Sequence, residues 1–367
     1  MQGLANLGFT CAINSLIQII CRNDLMRDTI INYENDENSL LTNLKEVLVL
    51  MHINNKSIVP KKLVAKLYCL FGNIFNYGEQ IDITELWIFI NQQIISEINE
   101  DARYYNLILD FDNLKLNNKN IINGVAYDTE SDYKNALISS HFLSDKFAHS
   151  YIQHNENKIS RWQQITQGFI LNITTCKNCN NSLFNFEPFY ALYLNIPENS
   201  QNINIVSMIR QLFIDDNYNG DWICDKCNCK TDYIKSTKIW RLPDILFVII
   251  NRFINPNIKN DTPVDINPNI CFNKGTVLFD LENDKNYKLA SMALHSGNTS
   301  GGHYTAICET DGSFLIYDDT NISRVDNFLE KNKNAYMLSY SLVSRSLAES
   351  HKLPFNLSGT PWPNNII

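Results

Sequence analysis

The sequence contains no long hydrophobic run. Nothing approaches the roughly 20 apolar residues needed to cross a bilayer, and the strongest candidate, Ile245 to Ile250, has a strand's length between Asp244 and Asn251. Positive charge is also short. Against 39 Asp and Glu stand 31 Lys and Arg, a net charge of -8. That balance argues against general affinity for nucleic acid or anionic membrane, both of which need basic surface, and suits a partner with a basic element. The N-terminal residues lack the basic n-region of a secretory leader, so an intracellular location, cytoplasmic or nuclear, is expected. Neither internal repeats nor large-scale signs of disorder occur. The 367 residues are enough for two or three domains with an apolar core. Asn, Ile and Lys are abundant, which fits an AT-rich coding genome of a parasite or a large virus; for a virus the expected location is the host cell.

What is present changes character along the chain. The first 160 residues read as mainly helical, with segments near Leu40 to His52, Lys61 to Leu70 and Ile83 to Ile98. The last is introduced by Asp82-Ile83-Thr84-Glu85, an acidic form of a capping box. From Asp110 to Ser131 the periodicity dissolves into Asn, Lys, Asp and Gly, as in a surface loop or insertion. From Phe169 onward short strands dominate: Phe184, Phe186, Tyr190, Leu192, Leu194 and Ile196 recur with period two. The continuous run Ile245 to Ile250 predicts a central strand buried on both faces. Strands are also expected near Gly275 to Asp280, Tyr287 to Ala293, His303 to Glu309, Ser313 to Tyr317 and Ala335 to Ser341. The tail from Leu347, with Pro354, Pro361 and Pro363, is expected along the surface or loose.

Three stretches carry candidate chemistry. Ile13, Leu16, Ile17 and Ile20 fall at i, i+3, i+4 and i+7, which places Cys11 at or just before a helix N-terminus. There the backbone N–H groups favour an anion and a lowered thiol pKa; the plainer alternative is a small apolar residue in a core helix. Far downstream, Asp311-Gly312 between alternating segments predicts a two-residue type I′ hairpin. Thr310 then faces Ser313, and the same register sets His303 opposite Thr320. Asp318 becomes the diagonal neighbour of His303, roughly 7 to 8 Å away between backbones and within side-chain reach. Taken singly, His303 after two glycines reads as a turn residue and Asp318-Asp319 as a solvated strand end. Together with Cys11 they can supply nucleophile, base and orienting acid, with Asn6 and nearby backbone N–H groups as donors to an oxyanion.

The third stretch is a pair of knuckles, Cys176-Lys177-Asn178-Cys179 and Cys224-Asp225-Lys226-Cys227. Their spacing is that of a structural zinc ribbon, against a metal-free or redox-active alternative. Cys229 is an alternative to Cys227 as fourth ligand.

The Asn6 to Gln18 segment resembles the Cys box of ubiquitin-specific proteases, papain-like cysteine peptidases with thumb, palm and fingers. His295 to Ala306 with Tyr317-Asp318-Asp319 resembles their His box, and Gln80 to Leu86 their Gln-Asp-Glu box. Gly168 to Pro197 and Leu242 through Phe253 match the family around the first knuckle and the central palm strand. The resemblance implies an α+β, papain-like fold: a helical thumb over 1–160, zinc-ribbon fingers over 161–240, a β-rich palm over 241–345 and a tail over 346–367. It implies a deubiquitinase with Cys11 as nucleophile, His303 as base, Asp318 as orienting acid, Asn6 as oxyanion donor and Asp319 as a further polar contributor. Asp82, Glu85, Gly301, Gly302 and Tyr304 would meet ubiquitin, and Cys176, Cys179, Cys224 and Cys227 would hold structural Zn2+. Expected partners are ubiquitin, polyubiquitin and ubiquitinated proteins, with the enzyme a monomer and neither nucleic acid nor membrane involved. Phe9, Ala12 and Ile13 depart from the family pattern. A catalytically weak ubiquitin-binding scaffold and a protease of a ubiquitin-like modifier are the competing expectations.

Overall fold

Helix α1 spans Cys11–Arg22, and every residue from Cys11 to Cys21 is buried. The apolar stripe anticipated from its spacing is there, but the opposite face is not solvated. Asn14 and Gln18, four residues apart, donate to the Leu4 and Gln2 carbonyls, so the N-terminal segment covers the helix's polar side. The structure is a computed structural model that describes residues 2–343 apart from 34–37, 54–55, 99, 102–120, 123–124, 127–142, 144–145, 157, 199–202, 256–257, 273–284, 299–300 and 328–332. The proposed strand at 275–280, the tail from 347 and nearly all of the 110–131 loop lie outside the described residues.

Around α1 lie α2 (Asp24–Ile31), α3 (Leu40–Ile53), α4 (Lys61–Phe71) and α5 (Ile83–Glu97). Periodicity predicts α3, α4 and α5 within a residue or so. It misses α2, whose eight residues follow α1 after the single cap residue Asn23, which accepts from the Met26 N–H. Also missed are α6 (Arg161–Thr166) and α7 (Ile205–Gln211), both too short for a period to register. Among the described residues no helix is long and apolar enough to cross a membrane.

Two sheets follow. Beside short two-stranded pairings, the first half of the two larger sheets comes from β1 (Gly168–Cys176), β2 (Ser182–Phe189), β3 (Leu192–Asn195), β4 (Asp216–Cys224), β5 (Cys229–Arg241) and β6 (Ile245–Asn251). They are followed by β7 (Asn269–Phe272), β8 (Lys285–Gly297), β9 (Gly302–Thr310), β10 (Ser313–Asp318), β11 (Asn321–Arg324) and β12 (Ala335–Leu342). A four-stranded sheet has the order β2-β1-β5-β4, and an eight-stranded sheet the order β11-β10-β9-β8-β12-β6-β3 with β7 on β8. Among the described strands of these two sheets, β3 alone runs parallel to its neighbour, β6. The period-two pattern of Phe184 to Ile196 therefore spans two sheets: the chain bends at Tyr190-Ala191 and leaves the first for the second.

Strand β6 explains its unbroken apolar run. Ile245, Phe247 and Ile249 point into the core shared with the helices, and Leu246, Val248 and Ile250 into a second core on the other face, backed by α7. A third cluster, with Phe147, Tyr151, Phe169, Phe186 and Trp240, fills the base of the four-stranded sheet.

Candidate active site

The β9–β10 hairpin forms in the predicted register, with Thr310 opposite Ser313 and Ala306 opposite Tyr317. Asp311 and Gly312 both take positive φ, as a type I′ turn requires. The ladder stops at Ala306, however, and His303 does not face Thr320. At Asp319 the backbone turns left-handed, φ 52°, and Asp318 pairs instead with Asn321 at the start of β11. The diagonal prediction survives this. His303 Nε2 lies 2.7 Å from Asp318 Oδ1, with both side chains roughly half exposed.

Cys11 opens α1, only 4% exposed, after Thr10 as N-cap. Its thiol sits against the backbone N–H of Tyr304, the residue after His303. The expected lowering of its pKa is not met. Burial pushes the thiol up and the charge of Asp319 adds to that, outweighing the N–H groups of Tyr304, Ala12 and Cys11 itself. In the unliganded chain Cys11 is therefore a thiol at neutral pH. The rate of its alkylation by iodoacetamide is expected to keep rising above pH 8.5, about the ordinary cysteine value; a plateau below pH 7 would contradict this.

Asn6 is wired on both ends of its amide. Oδ1 accepts from Gly8 N (2.9 Å), Thr10 N (3.2 Å) and Thr10 Oγ1 (3.2 Å), while Nδ2 donates to Asp319 Oδ2 at 2.9 Å. The other Asp319 oxygen accepts from Asn14 Nδ2 at 2.7 Å. A carboxylate only accepts, so it fixes which end of the Asn6 amide faces it and leaves that nitrogen one further N–H. The Leu4 N–H bonds to the Asp319 carbonyl at 2.9 Å, and Gly3 lies so close to Asp319 and Thr320 that a Cβ there would overlap their backbone. Asp319 thus rivets the loop before Cys11 to the end of the hairpin. Asn14 was not anticipated as a site residue; it is one of several polar residues on the helix, and its partner lies 305 residues away.

The Gln80 to Glu85 segment reaches the same hairpin. Gln80 Oε1 accepts from the Gly302 N–H at 2.7 Å and its Nε2 donates to the Gly302 carbonyl, clamping that peptide from both sides. Gly302 must be glycine for an internal reason, because a Cβ would run into the ring of His295. A Cβ on Gly301 would meet nothing. His295 is buried, and burial brings its pKa down to about 4, so the ring is neutral.

Asp82 Oδ1 caps α5, accepting from Thr84 N and Glu85 N at 2.7 and 3.2 Å, and Oδ2 accepts from Tyr336 (2.7 Å) and Tyr304 (3.2 Å) hydroxyls. Both oxygens are engaged inside the protein, which moves the weight from substrate contact toward structure. Asp82→Ala is expected to lower stability by about 2–3 kcal/mol, the sum of a lost cap and buried hydroxyls left unpaired. A melting temperature within a degree of wild type would show that the network contributes little. Glu85 is exposed, and partial burial together with the neighbouring Asp82 charge raises its pKa.

In the four-stranded sheet Cys176 Sγ lies 3.8 Å from Cys227 Sγ and Cys179 Sγ lies 3.7 Å from Cys224 Sγ, with all four sulfurs within 4.8 Å of one another. A tetrahedral site with bonds of about 2.3 Å has sulfur edges of about 3.8 Å, so the cluster has the size of a metal cage. Cys227, not Cys229, closes it; Cys229 is exposed. Burial opposes ionisation of Cys176, yet the N–H groups of Cys179 and Asn178 and the Thr231 hydroxyl outweigh it and bring the thiol down to about 6. These four residues could hold a metal ion.

Helices α1 to α5 on one face of a mostly antiparallel sheet, a cysteine at the buried helix's start and a second, four-stranded sheet define an α+β cysteine-peptidase fold of the thumb, palm and fingers type. A chain of the SAGA Ubp8/Sgf11/Sus1/Sgf73 DUB module bound to ubiquitin aldehyde matches with a TM-score of 0.67 at 18% identity, over 94% of this chain and 70% of that one. The chain belongs to the ubiquitin carboxyl-terminal hydrolase family, whose model matches residues 2–340. Ubiquitin carboxyl-terminal hydrolase 2 of Bos taurus is 25% identical over 358 residues, covering 94% of this chain and 55% of that protein. Probable ubiquitin carboxyl-terminal hydrolase R319 of Acanthamoeba polyphaga mimivirus is 28% identical over 193 residues, 48% of this chain and 40% of that protein. The chain thus spans about half the length of the curated relatives it matches.

Proposed function

We propose that this chain is a deubiquitinase that hydrolyses the isopeptide or peptide bond after the C-terminal glycine of ubiquitin, through an acyl-enzyme on Cys11. The observation that carries the reading is the 2.7 Å bond between His303 Nε2 and Asp318, beside a cysteine lodged against the next residue's amide. With Nε2 engaged by Asp318, Nδ1 is the ring nitrogen that exchanges a proton with Cys11. His303 takes the thiol proton as sulfur attacks the scissile carbonyl, and the oxyanion receives hydrogen bonds from Asn6 Nδ2 and the Cys11 N–H. His303 then gives the proton to the leaving amine. Water, deprotonated by the same ring, attacks the thioester and restores the thiol. The raised thiol pKa fits a nucleophile that gives its proton to His303 only as it attacks the bound carbonyl.

Residues 1–160 would serve as thumb, 161–240 as fingers, 241–345 as palm, with β3 and α7 of the middle segment joining the palm, and 346–367 as a tail. Zn2+ on Cys176, Cys179, Cys224 and Cys227 would be structural, with all four positions closed by thiolates. Glu85, exposed beside Asp82, suits a basic residue of ubiquitin's C-terminal tail, with Gly301 and Gly302 lining the approach and Asp82 and the buried Tyr304, bonded to each other, behind it. Glu85→Ala is expected to raise KM for ubiquitin substrates several-fold with melting unchanged; the reverse outcome would assign Glu85 to stability. The partners would be ubiquitin, polyubiquitin and ubiquitinated proteins, met inside a cell by a monomer.

Ubiquitin bearing an electrophile at its C-terminus tests the reading. Wild type is expected to form a one-to-one covalent adduct and Cys11→Ala none. Binding without an adduct would make the chain a scaffold, and indifference to ubiquitin would make it a protease of something else.

A further inference from the structure

Two residues before Cys11 stands Phe9, with φ 55° and 51% of its surface exposed. Both properties run against its chemistry. A bulky aromatic in the left-handed region is a backbone outlier, where glycine or Asn sits at ease. A phenyl ring in water forgoes the burial that normally favours it. The neighbouring residues dispose of themselves differently: Leu7 packs against the main core and Thr10 is fully buried, while Gly8, at φ 96°, has open space around it.

The strain cannot be relaxed locally. Hydrogen bonds from Gly8 N and Thr10 N to Asn6 Oδ1 fix the backbone immediately before and after Phe9, and Leu7 N donates to Thr10 Oγ1 at 2.9 Å. Asn6 is in turn held by Asp319. A rigid turn therefore presents an aromatic ring to solvent two residues before the nucleophile, and a strained residue that persists because its surroundings over-determine it points to a functional reason.

The substrate supplies the reason. In the reading above, on which this inference rests, the acyl group on Cys11 is ubiquitin's C-terminal glycine, which has no side chain for a ring to meet. An apolar surface there can gain contact from the leaving group, whose lysine carries four methylenes up to the scissile amide. We propose that Phe9 is a specificity-determining residue: its ring forms an apolar wall beside Cys11 that packs against the aliphatic stem of the leaving lysine and favours isopeptide bonds over amides of small amines.

Two substrates with the same acyl group isolate the effect: ubiquitin joined by an isopeptide bond to Nα-acetyl-lysine amide, and ubiquitin N-methylamide. The ratio of their kcat/KM values is measured for wild type, Phe9→Asn and Phe9→Tyr. Asn is compatible with the left-handed backbone, so Phe9→Asn is expected to melt at or above the wild-type temperature. Its preference for the lysine substrate is expected to fall by about fivefold or more, the scale of losing apolar contact with a few methylenes, and Phe9→Tyr to keep it. An unchanged ratio in Phe9→Asn overturns the inference, and so does an equal loss on both substrates, which would mean that the ring merely shapes the loop. The ubiquitin electrophile separates the levels. If wild type forms no adduct, the deubiquitinase reading fails and takes this inference with it; an adduct with unchanged preference sinks the inference alone.

Discussion

Replacing Asp319 by alanine is expected to lower kcat by about 100-fold, the scale of losing an oxyanion donor, although Asp319 need never touch the substrate. Its carboxylate is the partner of Asn6 Nδ2 at 2.9 Å and of Asn14 Nδ2 at 2.7 Å. Without it the Asn6 amide is held only through Oδ1, and the loop that ends at Cys11 loses its rivet to the hairpin. Stability should fall as well, by about 1–3 kcal/mol for the hydrogen bonds removed. Alanine also sits poorly at φ 52°, so Asp319→Asn is the control, since Asn tolerates that backbone. It keeps one acceptor but presents an NH2 group to one of the two amides that the carboxylate served. A large loss in both variants assigns the effect to the carboxylate rather than to backbone strain.

The double variant Asp319→Ala with Asn6→Ala makes the argument quantitative. If Asp319 acts through Asn6, the two losses overlap and the pair costs little more than Asn6→Ala alone. Multiplicative losses would mean that Asp319 has a separate role, and a kcat within threefold of wild type for Asp319→Ala would remove it from the mechanism.

Much of this was legible because it depends on local pattern. The Asp311-Gly312 turn fixed the register that brought Asp318 to His303, and the 3.6-residue spacing set Cys11 at a helix start. The six-residue apolar run became β6, buried on both faces, because sheet strands covered on both sides need no alternation. What was not legible depends on residues far apart in the chain. Asn6 and Asn14 meet Asp319 across more than 300 residues, and Tyr336 reaches Asp82 across 254. Hydrogen-bond partners of this kind leave no periodic trace. The Cys11 thiol went the other way from expectation for a related reason: the helix start is a local property that favours the thiolate, whereas burial is set by the whole fold and dominates. Phe9 was visible as an unusual residue, but only its left-handed φ and exposure turned the oddity into a hypothesis.

Cys224→Ser is expected to reduce bound zinc from one equivalent to less than half, and to unfold the far end of the four-stranded sheet while leaving the large sheet intact. The asymmetry follows from where the cores lie. The base of the small sheet is filled by Phe147, Phe169, Phe186 and Trp240. Beyond it Asp216 to Gly220 are all exposed and Ile223 is 57% exposed, and the aromatic support is the Tyr218–Tyr233 stack with Trp222 against its edge. So little apolar surface cannot hold two long strands, and a metal bound by the four thiolates would take the place of a core. Hydrogen exchange should therefore accelerate across β4 and the first half of β5, with β6, β8 and β12 unchanged. Cys229→Ser is the matched control, since that thiol is exposed and outside the cluster. Equal zinc loss in the two variants would mean that Cys229 ligates after all. Undiminished zinc in Cys224→Ser, or unchanged exchange at β4 after metal removal, would mean that the four sulfurs do not hold the sheet together through a metal.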